Sequence, residues 1–319
     1  MRQSVLLLLT LLVAASPSTT TTIDLPDVQK PHQITVDGND LYVFDEADYS
    51  LHVYSISPFA LKLKIGRKGD GPRDFKYLPF VSVQPEGFTC TDFTKIMWFS
   101  KQGEVLKVME FSELADFDLD SEMLLIPVKD RYLRITADHG QFKRRVYLLD
   151  SRFKTIKQLY EGSFNWQIGS RTDYRTDALT SEGLTFISDS LKGFHIMVFD
   201  GEGTLVRTID RSRDVEAVEG SALLHQYCVS DGRIYATTYV KKGDQTEMIV
   251  LDLTGRILGR HHLPLTSIRA GRGVLRYDLF TVARGVLYEL VHNRVTGKWL
   301  LLTTRLPALR ATGPASSRR

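Results

Sequence analysis

The chain has 319 residues, with 41 Lys and Arg against 38 Asp and Glu and a formal net charge of +3. Opposite charges are interspersed and no block of five or six like charges occurs, so nucleic acid is not an implied partner. Hydrophobic residues form 43% of the chain and are spread along it, which excludes global disorder and can supply a sizeable core.

In chain order, Arg2 comes first, followed by a small and apolar run over residues 5–15 that only Thr10 interrupts. Val13 and Ala15 stand third and first before a small-residue cleavage point, so residues 1–15 read as a secretory signal peptide. The expected localisation is therefore exported, in a periplasm or secreted. Ser16, not cysteine, follows the cleavage point, so no lipid anchor is expected. No run approaches eighteen apolar residues, so no membrane span is expected either. Residues 16–308 read as one domain and residues 309–319, with Arg310, Arg318 and Arg319, as a flexible basic tail.

Within that domain one pattern recurs six times. Strand-like runs begin at Leu41, Phe88, Tyr132, Leu184, Ile234 and Leu287. Each follows a tight polar turn, such as Asp37-Gly38-Asn39-Asp40 or Ser230-Asp231-Gly232-Arg233, where Gly, Asn and Asp supply the positive φ of a hairpin. Shorter apolar stretches precede the turns, among them residues 34–36, 81–83, 124–128 and 280–283, and each can serve as an innermost strand. A second hairpin follows in each unit, and residues 197–206 match residues 249–258 in pattern and spacing. Four strands per unit at a period near 45 residues, in six units, predict an all-β fold: a six-bladed β-propeller with four-stranded antiparallel blades. Short helices are expected only around residues 112–117 and 215–224.

The sixth unit runs out one strand early, after residues 298–306. Ile23-Asp24-Leu25-Pro26 has the form of His261-His262-Leu263-Pro264 at the end of unit five, so the N-terminal strand is expected to close the last blade. Cys90 and Cys228 then fall in the second and fifth units, too far apart for a bridge that needs Cα atoms within about 7 Å, and two buried thiols are expected.

Between units one and two stands Ile65-Gly66-Arg67-Lys68-Gly69-Asp70-Gly71-Pro72-Arg73-Asp74-Phe75. This segment resembles the G-x-x-G-x-G-P-G-E-F stretch of the bacterial exported six-bladed β-propeller family, relatives of the NHL-repeat and TolB-like proteins. Arg73-Asp74 departs from the usual Gly-Glu. The resemblance implies export and a propeller, and little about chemistry. The glycines suit a rim-to-hub crossover, and successive amides beside Arg67 and Lys68 could alternatively cradle an anion.

Function in a propeller sits at the hub, where the innermost strands converge on a channel. Pro31-His32-Gln33-Ile34 and Leu224-His225-Gln226-Tyr227 occupy the same place in units one and five. With Arg175 and Arg276 ahead of units four and six, His32 and His225 make the expected ligand-binding set at the channel mouth. Two arginines and two imidazoles suit an anionic or carboxylate-bearing ligand. A metal at the histidines would need a third donor, such as Asp177 or Asp278, and neither metal nor other cofactor is expected. The alternating acids Asp116, Asp118, Asp120 and Glu122 read as a solvated linker, calcium requiring convergent oxygens. G-x-S-x-G, H-E-x-x-H, C-x-x-C, Walker and dinucleotide motifs are all absent. The favoured function is a non-catalytic binding or scaffold propeller that recognises a protein, peptide or glycan at the channel mouth. The alternative is a metal-dependent, lactonase-like hydrolase; such lactonases carry a glutamate where this chain has His32, which weighs against it.

Overall fold

The computed structural model describes residues 20–114, 122–138, 140–141, 143–163, 178–181, 183–188, 194–212, 224–240, 245–262, 269–270, 274–275, 279–293 and 295–307. Six four-stranded antiparallel sheets form the six blades of a propeller. Blades 1 to 5 cover residues 31–65, 80–110, 122–163, 178–210 and 224–262; blade 6 combines residues 280–305 with Thr20–Leu25. In blade 1 the strands run outward from the hub as Pro31–Asp37, Asp40–Asp45, Ser50–Ile56 and Phe59–Ile65. A small hairpin pairs Arg269–Ala270 with Val274–Leu275 between blades 5 and 6.

Each innermost strand turns into the next through a two-residue hairpin, as the closing pairs Asp37↔Asp40, Gln84↔Gly87, Val128↔Arg131, Ser181↔Leu184, Ser230↔Arg233 and Ala283↔Val286 show. In blade 5 both turn residues, Asp231 and Gly232, have positive φ (52° and 66°), the backbone that matches the twist of paired strands. The outer hairpins share a second device. One side-chain oxygen accepts the amides two and four residues ahead: Asp150 from Arg152 and Lys154, Asp200 from Glu202 and Thr204, Asp252 from Thr254 and Arg256, all at 2.8–2.9 Å. Ser100 does the same in blade 2 at 3.2 Å. This local satisfaction of turn amides explains why the repeat is legible as a recurring Asp five residues before an outer strand.

The core is six apolar seams between neighbouring blades. Alternation along a strand sends successive side chains to opposite seams: Leu41 and Val43 pack toward blade 6, Tyr42 and Phe44 toward blade 2. Each fully buried aliphatic or aromatic side chain contributes roughly 1.5–3 kcal/mol, so stability is distributed around the ring.

Ring closure matches the expectation from sequence. Thr20–Leu25 pairs antiparallel with Lys298–Arg305, with Ile23 opposite Leu301 and Leu25 opposite Trp299. Leu25 is fully buried, and the Trp299 indole donates to the Gln29 carbonyl at 2.8 Å, tying blade 6 to the segment that enters blade 1.

Two expectations change. Of the helix expected near residues 112–117, the described part is a single 3-10 turn, Phe111–Glu113, anchored by a fully buried Phe111. Of residues 215–224, Leu224 opens a strand and the rest lies outside the described residues. Both cysteines are free; Cys90 is buried, whereas Cys228 is only half-buried, because it stands on an innermost strand beside the channel.

Candidate functional site

All six innermost strands contribute to a central cavity of about 380 Å³. Its polar lining includes Gln33 and Thr35 from blade 1, Ser82 from blade 2, Thr180 and Ser181 from blade 4, and Thr281 from blade 6. Gln33 fixes part of this wall. Its amide donates to the Val81 carbonyl at 2.8 Å and accepts the Val81 amide at 2.9 Å, so one side chain completes the backbone bonding of the neighbouring blade's exposed strand edge.

His32 lies on the cavity wall, 8% exposed. The backbone explains its placement. In blade 1 the ladder passes from Pro31↔Asp45 to Gln33↔Phe44, and in blade 5 from Leu224↔Thr238 to Gln226↔Thr237. His32 and His225 are therefore the extra residues of two equivalent β-bulges, each at the mouth end of an innermost strand. A bulge re-aims the side chain it carries, and such bulges are over-represented beside functional sites. The His225 side chain, and all of Arg175 and Arg276, lie outside the described residues, as do Asp177, Asp278 and Asp116 to Asp120. In chain order Arg175 precedes the blade 4 strand that begins at Ala178, and Arg276 the blade 6 strand that begins at Phe280. Among the described residues, the two histidine positions stand at matching places in blades 1 and 5.

The crossover at residues 66–75 is closed on itself. The Asp74 carboxylate accepts the Gly71 amide at 3.2 Å and the Arg67 guanidinium at 3.1 Å. Phe75, fully buried, donates its amide to the Arg67 carbonyl and lies under Gly66, whose φ is +89°. Lys95 reaches the Gly71 carbonyl at 2.8 Å and Arg73 the Gly103 carbonyl at 2.8 Å. Asp74 therefore fills the anion cradle that the glycine spacing suggested, and the loop acts as a strap between blades 1 and 2.

One group of described side chains has the proximity a cation would need: Asp45, Asp48 and His52, with ligand atoms within 4.8 Å of one another. Its donor atoms are already engaged. Asp45 accepts the amides of Gln29, Lys30 and Ala47 at 2.7–2.9 Å, and Asp48 pairs with the Lys64 ammonium at 2.6 Å. Both His52 nitrogens are hydrogen-bonded within the protein, at 2.7 and 3.2 Å. The chemistry of this set is that of a structural knot, with Lys64 supplying the positive charge.

Sequence reasoning passed over Glu289. It is fully buried, neither carboxyl oxygen has a hydrogen-bond partner, and burial pushes its pKa up to about 7. It pairs with Phe280 and Leu302 and shares a strand face with Leu287, turned to blade 5. The same register position holds Val43, Cys90, Arg134, Ile187 and Ala236 in the other blades. An acid among mostly apolar equivalents was the available signal.

Fold and channel together define a six-bladed β-propeller with a hub cavity open to ligand chemistry. Searches against family models and curated proteins return no match. Among solved structures, the chain is similar to a Bacteroides fragilis protein described as exported, with 14% identity, 92% of this chain and 96% of that one covered, and a TM-score of 0.58. It is also similar to regucalcin, a calcium-binding protein from Agrobacterium tumefaciens, with 10% identity, 90% and 95% coverage, and a TM-score of 0.50. Identities this low carry the fold alone. No helix among the described residues is long and apolar enough to cross a membrane.

Proposed function

We propose that this protein is an exported recognition propeller of the bacterial six-bladed NHL-like class, taking a protein, peptide or glycan ligand at the channel mouth. The observation that carries this reading is the pair of equivalent histidine bulges, His32 and His225, at the mouth ends of the blade 1 and blade 5 innermost strands. In chain order Arg175 and Arg276 come just ahead of the innermost strands of blades 4 and 6, which makes them the arginines to test together with the two histidines. Two arginines and two imidazoles favour an anionic or carboxylate-bearing ligand. The channel offers hydroxyls and backbone groups to a polar chain that extends inward. Export rests on the signal-like residues 1–15.

The test is thermal stabilisation by an oligogalacturonate, a neutral oligosaccharide and an acidic peptide, since a ligand at a hundred times its Kd adds about 2.7 kcal/mol. One of the acidic probes should stabilise the protein, and the Arg175→Ala/Arg276→Ala variant should keep its fold and lose that effect. Retention of the effect in that variant, with loss on Arg67→Ala/Lys68→Ala, would move the site to the crossover.

A further inference from the structure

Where the ring closes, the seam between blades 6 and 1 holds a buried polar chain in an otherwise apolar interface. Ser50, His52 and Tyr54 alternate along one strand and share a face, with Asp48 just ahead of them. That face packs on blade 6: Tyr54, and Val43 opposite His52, belong to the cluster that contains Leu25, Leu290, Trp299 and Leu301. Ser50 and His52 are fully buried, whereas Asp48 reaches solvent beside Lys64.

The hydrogen bonds in this chain run one way. The Ser50 hydroxyl donates to Asp48 Oδ1, so toward His52 it can only accept. That places the imidazole proton on Nε2, 2.7 Å from Ser50 Oγ, and leaves Nδ1 to accept from the Tyr54 hydroxyl at 3.2 Å. The arrangement is complete only for a neutral imidazole. A proton on Nδ1 would force the Tyr54 hydroxyl to accept, strand its hydrogen against the apolar cluster and leave a buried charge.

We propose that this chain is a proton-operated latch on ring closure, in which His52 holds the closing strand and blade 6 against blade 1 while neutral and loosens that seam when protonated. The groups around His52 agree with a neutral resting state. Burial and the Lys64 ammonium disfavour the imidazolium, Asp48, Asp45 and Asp27 favour it, and the balance lowers the pKa below the usual 6.5. Among the described residues, the titratable side chains that blade 6 brings near this seam are Tyr288, within the apolar cluster, and His292, whose ring centroid lies 5.2 Å from that of Trp299 at a tilt of 52°. An opened seam lets His52 take its proton near 6.5, so opening is favoured as pH falls below that value, by up to about tenfold per pH unit. The effect saturates at the pKa of His52 in the closed seam.

The test compares amide hydrogen exchange at pH 7.5 and 5.5, corrected for intrinsic rates, in Thr20–Leu25 and in the blade 3 strand Arg131–Asp138. The latch predicts that the opening constant of Thr20–Leu25 rises up to about tenfold on acidification while that of Arg131–Asp138 changes much less. His52→Gln should remove the pH response of the closing strand. Tyr54→Phe removes the donor that favours the neutral ring and so raises the closed-seam pKa of His52, which should make the response saturate at higher pH and shrink its amplitude; this conservative variant also serves if His52→Gln does not fold. His292→Gln should behave as wild type. Equal responses in the two strands, an unchanged response in His52→Gln or in Tyr54→Phe, or loss of the response in His292→Gln would each overturn the proposal.

Discussion

Replacing Glu289 with Gln should stabilise the protein above neutral pH. The carboxyl has a folded pKa near 7 against an ordinary value of 4.5, because burial between blades 5 and 6 penalises the charged form. A carboxyl raised in this way destabilises nothing below pH 4.5, where it is protonated in both states. Stability then declines as pH rises toward 7, where the folded protein also ionises, and the loss is constant beyond it. The difference of 2.5 pH units between those two values corresponds to about 3 kcal/mol at 1.36 kcal/mol per unit. Gln copies the shape and neutrality of the protonated acid, so wild type and Glu289→Gln should match near pH 4.5. At pH 8 the variant should be more stable by about 3 kcal/mol. Urea or thermal unfolding across pH 4.5–8, followed by tryptophan fluorescence, measures this gap. A gap that does not change with pH, or a less stable variant at pH 8, would mean that the carboxylate is stabilised by a partner and that the burial argument is wrong.

Leu25→Ala should cost about 2–5 kcal/mol, because it removes a fully buried side chain from the closing seam; an unchanged melting temperature would refute closure by the N-terminal strand. Gly66→Ala should destabilise by at least 1–2 kcal/mol from its positive φ alone, and further because the added Cβ would lie 2.1 Å from the Phe75 ring; unfolding midpoints decide it. Both thiols should resist a water-soluble disulfide reagent at pH 8 and react in denaturant. Burial pushes the Cys228 thiol up to about 12 and raises Cys90 as well, so almost no thiolate forms at that pH. Rapid native labelling of Cys228 would show that the channel wall opens.

The fold was legible because a propeller states its rule six times. Turns at residues 38–39 or 231–232, and the alternation of residues 41–44 between two seams, vote for the same unit. Even the missing strand was readable, since residues 23–26 copy the end of blade 5. The site was less so. The likeness of His32 to His225 is visible in sequence, but the bulge that explains both depends on the pairing register, which cross-strand partners decide. At residues 66–75 an anion cradle stood as the alternative to a crossover because spacing shows the glycine amides without the Asp74 carboxylate folded back onto one of them. Ser50, His52 and Tyr54 escaped notice because alternate polar residues look like a solvated strand face until blade 6 covers them. Glu289 hid within a repeat run read for its pattern and not for its exceptions.

Closure of blade 6 by Thr20–Leu25 also fixes an order of events in folding. Leu25 waits for Trp299, and Thr20 for Thr304, so the most sequence-distant contacts join the two ends of the domain. A chain delivered N-terminus first can build blades 1 to 5 from local hairpins while its first strand stays unpaired, and the entropy of closing so long a loop falls on a single late step. Until residues 298–305 arrive, the partly built ring exposes the apolar flank of blade 1, with Leu41, Val43 and Tyr54 uncovered. The interval before the last strand docks is therefore when this protein is most open to aggregation and to chaperone capture.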